Sequence, residues 1–537
     1  FIRREDLRIL SSASFVIDLC TVYAIPRAVI ERLGLAVDSI IYAGGGIVIA
    51  LVPQHVSDDD IERVVSYVKN LIGFDININY ALADLEESWP LSIRKALAKL
   101  ATRKDIPRRN IQRDSTASIE TGYEVLCEYC GRRPATYKEG SEYICSECKV
   151  LHDLGSSMYI RSKLEALSCF GYQDARKIIE RSSKAKGGEA KVATKDENLL
   201  QRVYQYLLQW FSGVKLERLG REEYRVALVK MDGNAVGLYM SSAINIAEAV
   251  CRSIRIDMGM KMGFLAALQK LREILNEEEF DEDVTRVFTG VLYAGGDDML
   301  ALWPAHIAIP VALVMAKTFW VMNGGEVTLS IAVAVAKPRH NVWNVLDSAN
   351  RMLKMCKSGY RQDLGKEVLA GKLNLLAMIS FIKSDWQLFE AEVEQLFRRY
   401  GGNGYRLTYQ PFLVPLKRLQ NGGCRDFLTV LNVVVGNAIN MQVNSVDDAV
   451  KALVELTKAE KAPILKGIVS MVHDSMGVLR GHGGNKAVLA LYLARESQRV
   501  EEPGKGIYRG AANLAMICSD LPPLFDIYNL VEIVSTG

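Results

Sequence analysis

The sequence has no uninterrupted apolar run long enough to cross a bilayer. Its longest apolar stretches, 40–53 and 307–316, fall short of the roughly 18 residues that a membrane-spanning helix needs. The chain starts at Phe1 rather than at Met, and no charged segment with an apolar core and a cleavage site follows. We therefore expect no transmembrane helix, no membrane partner and no signal peptide, and we expect that the natural N-terminus is missing.

Neither sign of charge dominates the composition. The 66 Lys and Arg residues nearly balance the 63 Asp and Glu residues, and the net charge of +3 excludes an indiscriminately basic nucleic-acid binder. Local basic patches remain, and segment 103–113 is typical either of a solvated face or of a contact with a phosphate backbone. Ordinary Gly and Pro content excludes a disordered or fibrous chain. A globular chain of 537 residues is expected to form about two to five domains.

Four of the ten cysteines have the spacing of a metal site. Cys127-x2-Cys130 and Cys145-x2-Cys148 are separated by fourteen residues. This spacing predicts a tetrahedral zinc site with four thiolate ligands, and its role is structural because no coordination position stays open. Chance pairs or disulfides are the alternative. The other six cysteines are scattered singly, which suits a reducing compartment, so we expect a cytoplasmic protein.

The chain contains an internal repeat. Segments 42–53 (YAGGGIVIALVP) and 293–304 (YAGGDDMLALWP) are identical at seven of twelve positions. Each is typical of a β-hairpin, with a strand, a tight glycine turn, a second strand and a terminating Pro. Upstream, segments 10–13 and 240–243 share Ser-Ser-Ala and each opens a helical pattern. The repeated unit is therefore a whole domain.

Helical and strand patterns alternate within each repeat. Segment 58–71 has helical spacing and is followed by the strand-like segment 75–82. In the second repeat, the strand-like segment 327–336 is followed by the helical segment 342–355. Hairpin strands are antiparallel, so the sheet is antiparallel or mixed with helices packed on it, in the ferredoxin-like manner. A dinucleotide-binding fold would need parallel crossovers.

These patterns predict an α+β protein with five parts. They are a first repeat domain that lacks its first strand (1–115), a zinc ribbon (116–155), a helical segment and linker (156–222, helical near 158–179 and linker-like over 182–196), a second repeat domain (223–360) and an all-helical C-terminal domain (361–537). In the last part we expect no strands, and the helical spacing is clearest over 386–400, 446–456 and 467–479.

Acidic residues occupy the hairpin turn of the second repeat only. Asp297 and Asp298 stand where the first repeat has residues 46–47, Gly-Ile. Adjacent carboxylates repel one another unless a cation lies between them, and hard oxygen ligands suit Mg²⁺ or Mn²⁺. The apolar strand 227–231 ends at Asp232, which we expect beside the hairpin. Two metals held by these acids would activate a ribose 3′-hydroxyl and neutralise a leaving pyrophosphate. A solvated turn rich in Gly and Asp is the alternative.

Several neighbouring residues are candidates for nucleotide contacts. Glycines at the turn allow a phosphate or base to approach the backbone. Lysine ammonium groups and serine hydroxyl groups can reach phosphates, although each also suits an ordinary surface or helix-cap position. The candidates are Gly295, Gly296, Ser241, Ser242, Lys354 and Lys357.

Together these features resemble the large subunit of type III CRISPR effector complexes. That family has two palm domains, which are nucleotide cyclase-like, a four-cysteine ribbon between them and a helical domain after them. The resemblance covers essentially the whole chain. Its specific parts are 293–298 with Gly-Gly-Asp-Asp, the strand end 231–234, the four cysteines, and the opening segment 1–14, which resembles the helix after the family's first palm strand.

The resemblance implies an RNA-guided enzyme of antiviral defence. Its second palm would convert ATP into 3′–5′ cyclic oligoadenylates when the guide RNA pairs with target RNA. The implied partners are guide RNA, target RNA and other CRISPR-associated subunits, and the C-terminal helices would face the small subunits and the guide–target duplex. The implied site has Asp232, Asp297, Asp298 and the backbone carbonyl of Gly233 on two Mg²⁺ or Mn²⁺ ions, and the first palm, with Gly44 and Gly45, on a second ATP.

Two departures from the family pattern stand out. Asn234 occupies the position at which the family often has a second Asp. The N-terminal His-Asp nuclease domain of many members is absent from these residues, so we expect no DNA cleavage by this chain. Two rival hypotheses remain, a stand-alone nucleotide cyclase of the GGDEF or adenylyl cyclase type and a catalytically silent scaffold subunit.

Overall fold

The fold is described from a computed structural model. It describes residues 7–72, 76–85, 88–105, 125–131, 133–139, 142–154, 225–275, 286–288, 290–337, 340–360, 374–383, 386–387, 391, 411–420, 425–457, 462–482, 486–500, 504–517, 530 and 533. The predicted helical segment 158–179, the predicted linker 182–196 and most of the basic patch lie outside these residues. Three residues of that patch, 103–105, form the end of a helix.

The first repeat consists of helices around one hairpin. Its elements are α1 (Leu7–Leu19), a π-helical turn (Cys20–Ala24), α2 (Ile25–Leu33), a 3₁₀ turn (Val37–Ser39), β1 (Ile40–Gly44), β2 (Ile47–Ala50), α3 (Asp58–Ile72) and α4 (Trp89–Asp105). The predicted hairpin is confirmed, and its loop residues Gly45 and Gly46 have φ of +56° and +79°, as a type I′ turn requires. The predicted helix over 58–71 is confirmed as α3.

The sheet predicted for the first repeat is reduced to this hairpin in the described residues. The prediction of a strand over 75–82 is wrong for residues 76–82, which pair with no other strand. A β-favouring composition indicates a segment that fits a pleated surface, but a strand also needs a free edge to pair with. That edge is a tertiary property, so the local pattern could not supply it.

The cysteine module is a small ribbon followed by a helix. Its elements are β3 (Tyr137–Glu139), β4 (Glu142–Ile144) and α5 (Ser146–Asp153). The strands form an antiparallel pair, and a further bridge joins Leu126 to Pro134. Helix α5 packs on α1, where the Ser12 hydroxyl donates to the Leu151 carbonyl over 2.7 Å. The ribbon is therefore anchored to the first repeat.

The second repeat is built on a mixed sheet of six strands. Its first part contains β5 (Val226–Gly233), α6 (Val236–Ser241), α7 (Ile246–Ile274), β6 (Val291–Gly295), β7 (Asp298–Pro304), α8 (Ala305–Met322) and β8 (Leu329–Ala336). These strands lie in the order β8-β5-β7-β6, all antiparallel. In a βαββαβ unit this is strand order 4-1-3-2, so the ferredoxin-like prediction is confirmed for the second repeat.

The sheet continues beyond the predicted boundary at residue 360. Helix α9 (Val342–Gly359) crosses over to β9 (Leu375–Ile382), which pairs parallel with β8, and β10 (Phe412–Pro415) pairs antiparallel with β9. The prediction that strands cease from 361, and with it the all-helical domain 361–537, is wrong. Every residue of β9 is buried, so its sequence LLAMISFI shows no alternation. A short continuous apolar run cannot be told from a buried helix by periodicity.

Helix α8 is apolar around most of its circumference because it is enclosed on several sides. It packs on α7, on the sheet and on a C-terminal helix, and Gly263 of α7 faces the Met315 backbone so closely that a Cβ would lie 3.1 Å from the Met315 carbonyl oxygen.

Two segments of the described chain, Ser12–Leu33 and Ala305–Met322, are long and apolar enough to cross a membrane by length and composition alone. The core helix of a soluble protein passes the same test, and 67% of the second segment is buried.

The remaining elements of the described chain are helices, and they share the core of the second repeat. They form α10 (Phe427–Leu431), a π-helical turn (Asn432–Gly436), α11 (Val446–Leu456), α12 (Ala462–Gly481), α13 (Lys486–Arg499) and α14 (Gly504–Ile517). The predicted helices over 446–456 and 467–479 are confirmed, whereas most of 386–400 lies outside the described residues. Lys317 of α8 pairs with Asp447 of α11 at 2.6 Å.

Candidate active site

Three aspartates from two neighbouring strands meet at one end of the sheet. In the antiparallel pairing of β5 with β7, Asp232 lies directly opposite Asp298. The backbone N–H of Gly233 donates to the carbonyl oxygen of Asp297 over 3.0 Å, which extends the pairing into the turn. Because opposite residues in such a pair lie about 5 Å apart, the three carboxylates share one small volume. The structure thus brings together the acids that the sequence predicted.

A tight two-residue turn presents Asp297. Gly295 pairs with Asp298, so Gly296 and Asp297 alone connect the two strands. Gly296 has φ of +58°, a conformation that L side chains rarely adopt, whereas Asp297 does not have positive φ. The loop of the first repeat differs, because both of its residues have positive φ. The acid-bearing turn therefore has its own conformation.

Asp298 has one satisfied and one unsatisfied carboxylate oxygen. The Tyr293 hydroxyl donates to Oδ2 over 2.7 Å. Oδ1 is buried and has no hydrogen-bond partner among the residues that the structure describes. A buried carboxylate oxygen without a partner is costly unless a cation or a donor compensates it. This atom indicates a position for a ligand that carries positive charge.

The pKa values of the acidic groups also indicate a cation-binding site. Burial and, next, the Asp232 charge raise the pKa of Asp297 to about 6, against the opposing effects of a backbone hydrogen bond and of Lys357. Burial also raises the pKa of Asp298 and moves that of Tyr293 well above its usual range. Carboxylates that repel one another in a partly desolvated site are the hard oxygen ligands that Mg²⁺ and Mn²⁺ prefer. The residues present therefore fit divalent cations.

Lysine side chains line the same end of the sheet. Lys357, in the last turn of α9, places Nζ 2.5 Å from Oδ1 of Asp232. Lys230 of β5 donates to Asn350 over 2.9 Å, and its charge lowers the pKa of Asp298. Lys354 is exposed on α9. Of the two lysines that the sequence singled out on this helix, Lys357 reaches the acids.

The comparison with protein families agrees with this geometry. Residues 225–365 match the family model of the Cas10/Cmr2 second palm domain. This segment is therefore similar to the second palm domain of the Cas10/Cmr2 family. The match confirms, for these residues, the resemblance to the large subunit of type III CRISPR effector complexes. Among curated proteins, none matches the sequence.

Solved structures show distant likeness over most of the chain. The apo Csm1–Csm4 cassette is 13% identical with a TM-score of 0.47, and the comparison covers 96% of this chain and 67% of that one. Csm1 of T. onnurineus is 12% identical with a TM-score of 0.43, over 98% and 66%. A Csm1–Csm4 subcomplex of the type III-A CRISPR-Csm interference complex is 14% identical with a TM-score of 0.44, over 96% and 67%. A likeness this distant carries no weight for function.

Asn234 stands where an Asp was expected, and its side chain makes hydrogen bonds inside the second repeat. Its side-chain amide donates to the Thr328 hydroxyl over 2.9 Å and accepts from the Ser330 hydroxyl over 2.6 Å. The residue is buried, so it ties the end of β5 to β8. In this protein the position fixes the strand end that carries Asp232, and it places no ligand atom toward solvent.

Gly233 is required by the position of Asp297. A Cβ on Gly233 would lie 2.8 Å from Cβ of Asp297 and 2.4 Å from a methyl carbon of Val236. Real contacts of this kind do not occur, so only glycine lets the acid-bearing turn lie against β5. The predicted metal contact of its carbonyl oxygen stays a prediction.

The serine candidates make local helix contacts in the second palm. Ser241 is buried and donates to the Leu238 carbonyl over 3.1 Å, whereas Ser242 is exposed and accepts from Arg252 over 2.8 Å. They lie at the junction of α6 and α7. Their predicted role in nucleotide binding stays a prediction.

The glycine turn of the first repeat touches the acid-bearing turn of the second repeat. A Cβ on Gly296 would lie 3.2 Å from the Tyr42 hydroxyl and 3.5 Å from the Gly45 nitrogen. Tyr42 is the counterpart of Tyr293 in the repeat, so the two hairpin tips pack face to face. The sequence alignment contained both tyrosines, yet their roles follow only from the packing. The contacts of Gly44 and Gly45 with nucleotide stay predictions.

The four predicted zinc ligands converge. The Sγ atoms of Cys127, Cys130, Cys145 and Cys148 all lie within 4.8 Å of one another and all four residues are buried. Tetrahedral coordination at about 2.3 Å from each sulfur needs separations of roughly 4 Å, so the set fits zinc. Burial of the Cys127 thiol opposes ionisation, but backbone N–H groups of Cys130 and Cys145 outweigh it and lower its pKa to about 7.

Proposed function

We propose that this chain is the cyclic oligoadenylate synthase subunit of a type III CRISPR effector complex. Its substrate is ATP, its product is a ring of 3′–5′ linked adenylates, and its trigger is target RNA paired to the guide RNA of the complex. The supporting observation is the convergence of Asp232, Asp297 and Asp298 at a turn within a Cas10/Cmr2 second palm domain. The first repeat has the same kind of hairpin but lacks these acids, so the proposed metal site belongs to the second repeat only.

Each residue of the site has a role in this proposal. Two divalent ions bound at the three carboxylates would supply the charge that activates a 3′-hydroxyl and neutralises the leaving pyrophosphate. Asp298 is held in place by the Tyr293 hydroxyl, and its Oδ1, which has no hydrogen-bond partner among the described residues, would bind a cation. Lys357 keeps a positive charge beside Asp232, where a triphosphate also gains from it. Gly295 and Gly296 are packed against Asp18 and Tyr42 of the first repeat, so their predicted contact with phosphates stays a prediction.

Joining two nucleotides requires that both are held together. The first repeat lies against the catalytic turn through Tyr42 and Gly45, which is where a second ATP would sit. Holding both reactants in one cleft converts a bimolecular step into an effectively unimolecular one. The exposed Gly45 and Gly46 leave open backbone on that side.

The remaining parts serve assembly in this proposal. Guide RNA, target RNA and other CRISPR-associated subunits are the partners, and zinc at the four cysteines stabilises the ribbon that packs on α1. A ribbon of two three-residue strands buries little apolar surface by itself, so a metal would supply much of its stability. The proposed location is the cytoplasm.

The test is product formation by the assembled complex. The chain is purified with its guide RNA and co-purifying subunits, given ATP, Mg²⁺ or Mn²⁺ and complementary RNA, and the products are identified by mass spectrometry. An Asp297→Ala, Asp298→Ala double variant and an Asp347→Ala variant are assayed in parallel. Asp347 is an exposed aspartate on α9, paired with Arg351 at 2.9 Å, and serves as the matched control.

Three outcomes are distinguishable. Cyclic oligoadenylates that need target RNA, survive Asp347→Ala and vanish in the double variant support the proposal. Product without RNA supports a stand-alone cyclase instead. A complex that binds target RNA and makes no product contradicts the proposal and leaves a silent scaffold.

A further inference from the structure

An aspartate outside the predicted site holds the catalytic turn. The backbone N–H of Gly296 donates to Oδ1 of Asp257 over 3.2 Å. Asp257 lies in the middle of the long helix α7, and its other oxygen accepts from Lys261 over 2.7 Å. One carboxylate thus connects a helix of the second palm to the first residue of the turn. No feature of the sequence distinguished Asp257 from the other acidic residues.

Residues of the first repeat also pack against the turn that Asp257 contacts. The Tyr42 hydroxyl lies against Gly296, and Asp18 of α1 lies against Gly295, where a Cβ would be 3.2 Å from its Oδ1. Helix α1 of the first repeat packs on β6 of the second, and helix α7 of the second repeat packs on β1 of the first. Each repeat thus places a helix against the hairpin of the other. Gly296 is consequently buried, and its N–H has little access to water.

Packing these acidic groups against one another around the turn lowers the stability of the fold, which favours a functional role for them. Burial and the nearby Asp257 charge raise the pKa of Asp18 to about 6, against the opposing effect of Lys261. Burial, together with the charges of Asp297, Asp257 and Asp18, likewise raises the pKa of Tyr42 to about 12. Acidic groups packed against one another in this way recur at functional sites more than in ordinary cores.

The position of Gly296 explains what the contact does. Gly296 directly precedes Asp297, and a glycine at a two-residue turn has the widest backbone freedom of any residue. An anchored N–H removes part of that freedom, so the direction of the following carboxylate is fixed. Groups that orient metal ligands from behind typically change metal affinity or activity by about 10- to 100-fold when they are removed.

We propose that Asp257 is a positioning residue, which orients the Asp297 carboxylate for metal by accepting a hydrogen bond from the Gly296 N–H. The proposal rests on the function proposed above, because it assumes that the turn binds a divalent cation. It predicts that the acceptor oxygen of Asp257 is what matters and not its negative charge. Asp257→Asn keeps a carbonyl oxygen at this position, whereas Asp257→Ala removes it.

The first measurement concerns the contact alone. Hydrogen–deuterium exchange with mass spectrometry is applied to the full chain without added metal, for wild type, Asp257→Ala, Asp257→Asn and Asp347→Ala. We expect faster exchange in peptides that contain Gly296 for Asp257→Ala, and wild-type exchange for the other two variants. Unchanged exchange in Asp257→Ala would overturn the proposal, whether or not the chain is an enzyme.

The second measurement concerns the consequence. Mn²⁺ binding is titrated by electron paramagnetic resonance, with the Asp297→Ala, Asp298→Ala variant as the baseline. We expect Asp257→Ala to bind Mn²⁺ about 10-fold more weakly and Asp257→Asn to restore most of the affinity. Equal loss in both variants would show that the charge acts instead, and would overturn the proposal. No turn-dependent Mn²⁺ binding even in wild type would sink the proposed function and this role together, while the exchange result would still report the contact.

Discussion

The ammonium group of Lys357 lies 2.5 Å from Oδ1 of Asp232, in the midst of the three carboxylates that meet at the end of the second palm sheet. The same charge lowers the pKa of Asp297 and of Asp298. A side chain on α9 is thus the nearest positive charge to the site among the contacts described. The first prediction follows from it.

Replacing Lys357 by Met should impair synthesis. The variant loses a charge that faces Asp232 and would face a bound triphosphate, and losing a hydrogen bond to a charged group costs about 1.5–3 kcal/mol. We expect the rate of cyclic oligoadenylate formation to fall by about 10-fold or more, since ~1.4 kcal/mol corresponds to a factor of ten. Lys354→Met is the matched control, because Lys354 is exposed three residues earlier on the same helix. Equal losses in the two variants would contradict the assignment.

Replacing Asp297 by Asn should abolish synthesis and yet raise thermal stability at neutral pH without added divalent metal. The folded-state pKa of Asp297 is raised to about 6 from 3.8, so the folded protein holds this proton more tightly than the unfolded chain. Its stabilising contribution is present below about pH 4 and is lost as the pH rises through about 6. Above that pH, wild type carries an ionised, partly desolvated carboxylate that the variant lacks.

The size and pH dependence of this effect can be measured by thermal unfolding. We expect the unfolding midpoint of Asp297→Asn to exceed that of wild type by about 1–4 °C near pH 7.5, from roughly 1 kcal/mol after allowance for solvent screening. The difference should disappear near pH 4. Added Mn²⁺ should stabilise wild type more than the variant. A variant less stable than wild type at every pH would refute the assigned burial cost.

Replacing Gly233 by Ala should displace the catalytic turn. The added Cβ would lie 2.8 Å from Cβ of Asp297 and 2.9 Å from its Oδ2, so the turn or β5 must shift. We expect loss of about 100-fold in the rate of synthesis, because small displacements of catalytic groups have effects of that order. Gly237→Ala is the control, since a Cβ there meets nothing within 4 Å. The two variants are compared in the product assay and in thermal unfolding, and equal activity would contradict this packing argument.

Replacing Cys145 by Ser should remove zinc and loosen the ribbon. One of four sulfur ligands is lost, and structural zinc sites contribute strongly to the folding of small domains. We expect zinc content, measured by release to a chelating dye, to fall from about one ion per chain to near zero. Exchange should also rise in α1, which Ser12 joins to Leu151. Cys251→Ser, at an exposed cysteine, should leave both readouts unchanged.

Local sequence patterns predicted much of the secondary structure of the second repeat. The hairpin, the strand predicted over 327–336 and the helix predicted over 342–355 have clear periodicity or turn glycines, and they are confirmed as β6–β7, β8 and α9. Strand β9 was missed because both of its faces are buried, which erases the alternation that marks a half-exposed strand. The segment 76–82 has a strand-like composition but no partner edge, so it stays unpaired.

The sequence by itself determined which residues can hold metal at the two sites. Gly-Gly-Asp-Asp, the strand end at Asp232 and the paired Cys-x2-Cys motifs each place ligand atoms within a few residues of a turn, and short-range geometry brings them together. Tertiary structure alone decided what surrounds them. Lys357, Tyr42, Asp18 and Asp257 are distant in sequence from Asp297, and they reach the turn only because helices and hairpins of two repeats pack across one another. Such contacts depend on the three-dimensional packing of the whole chain, and no local pattern encodes them.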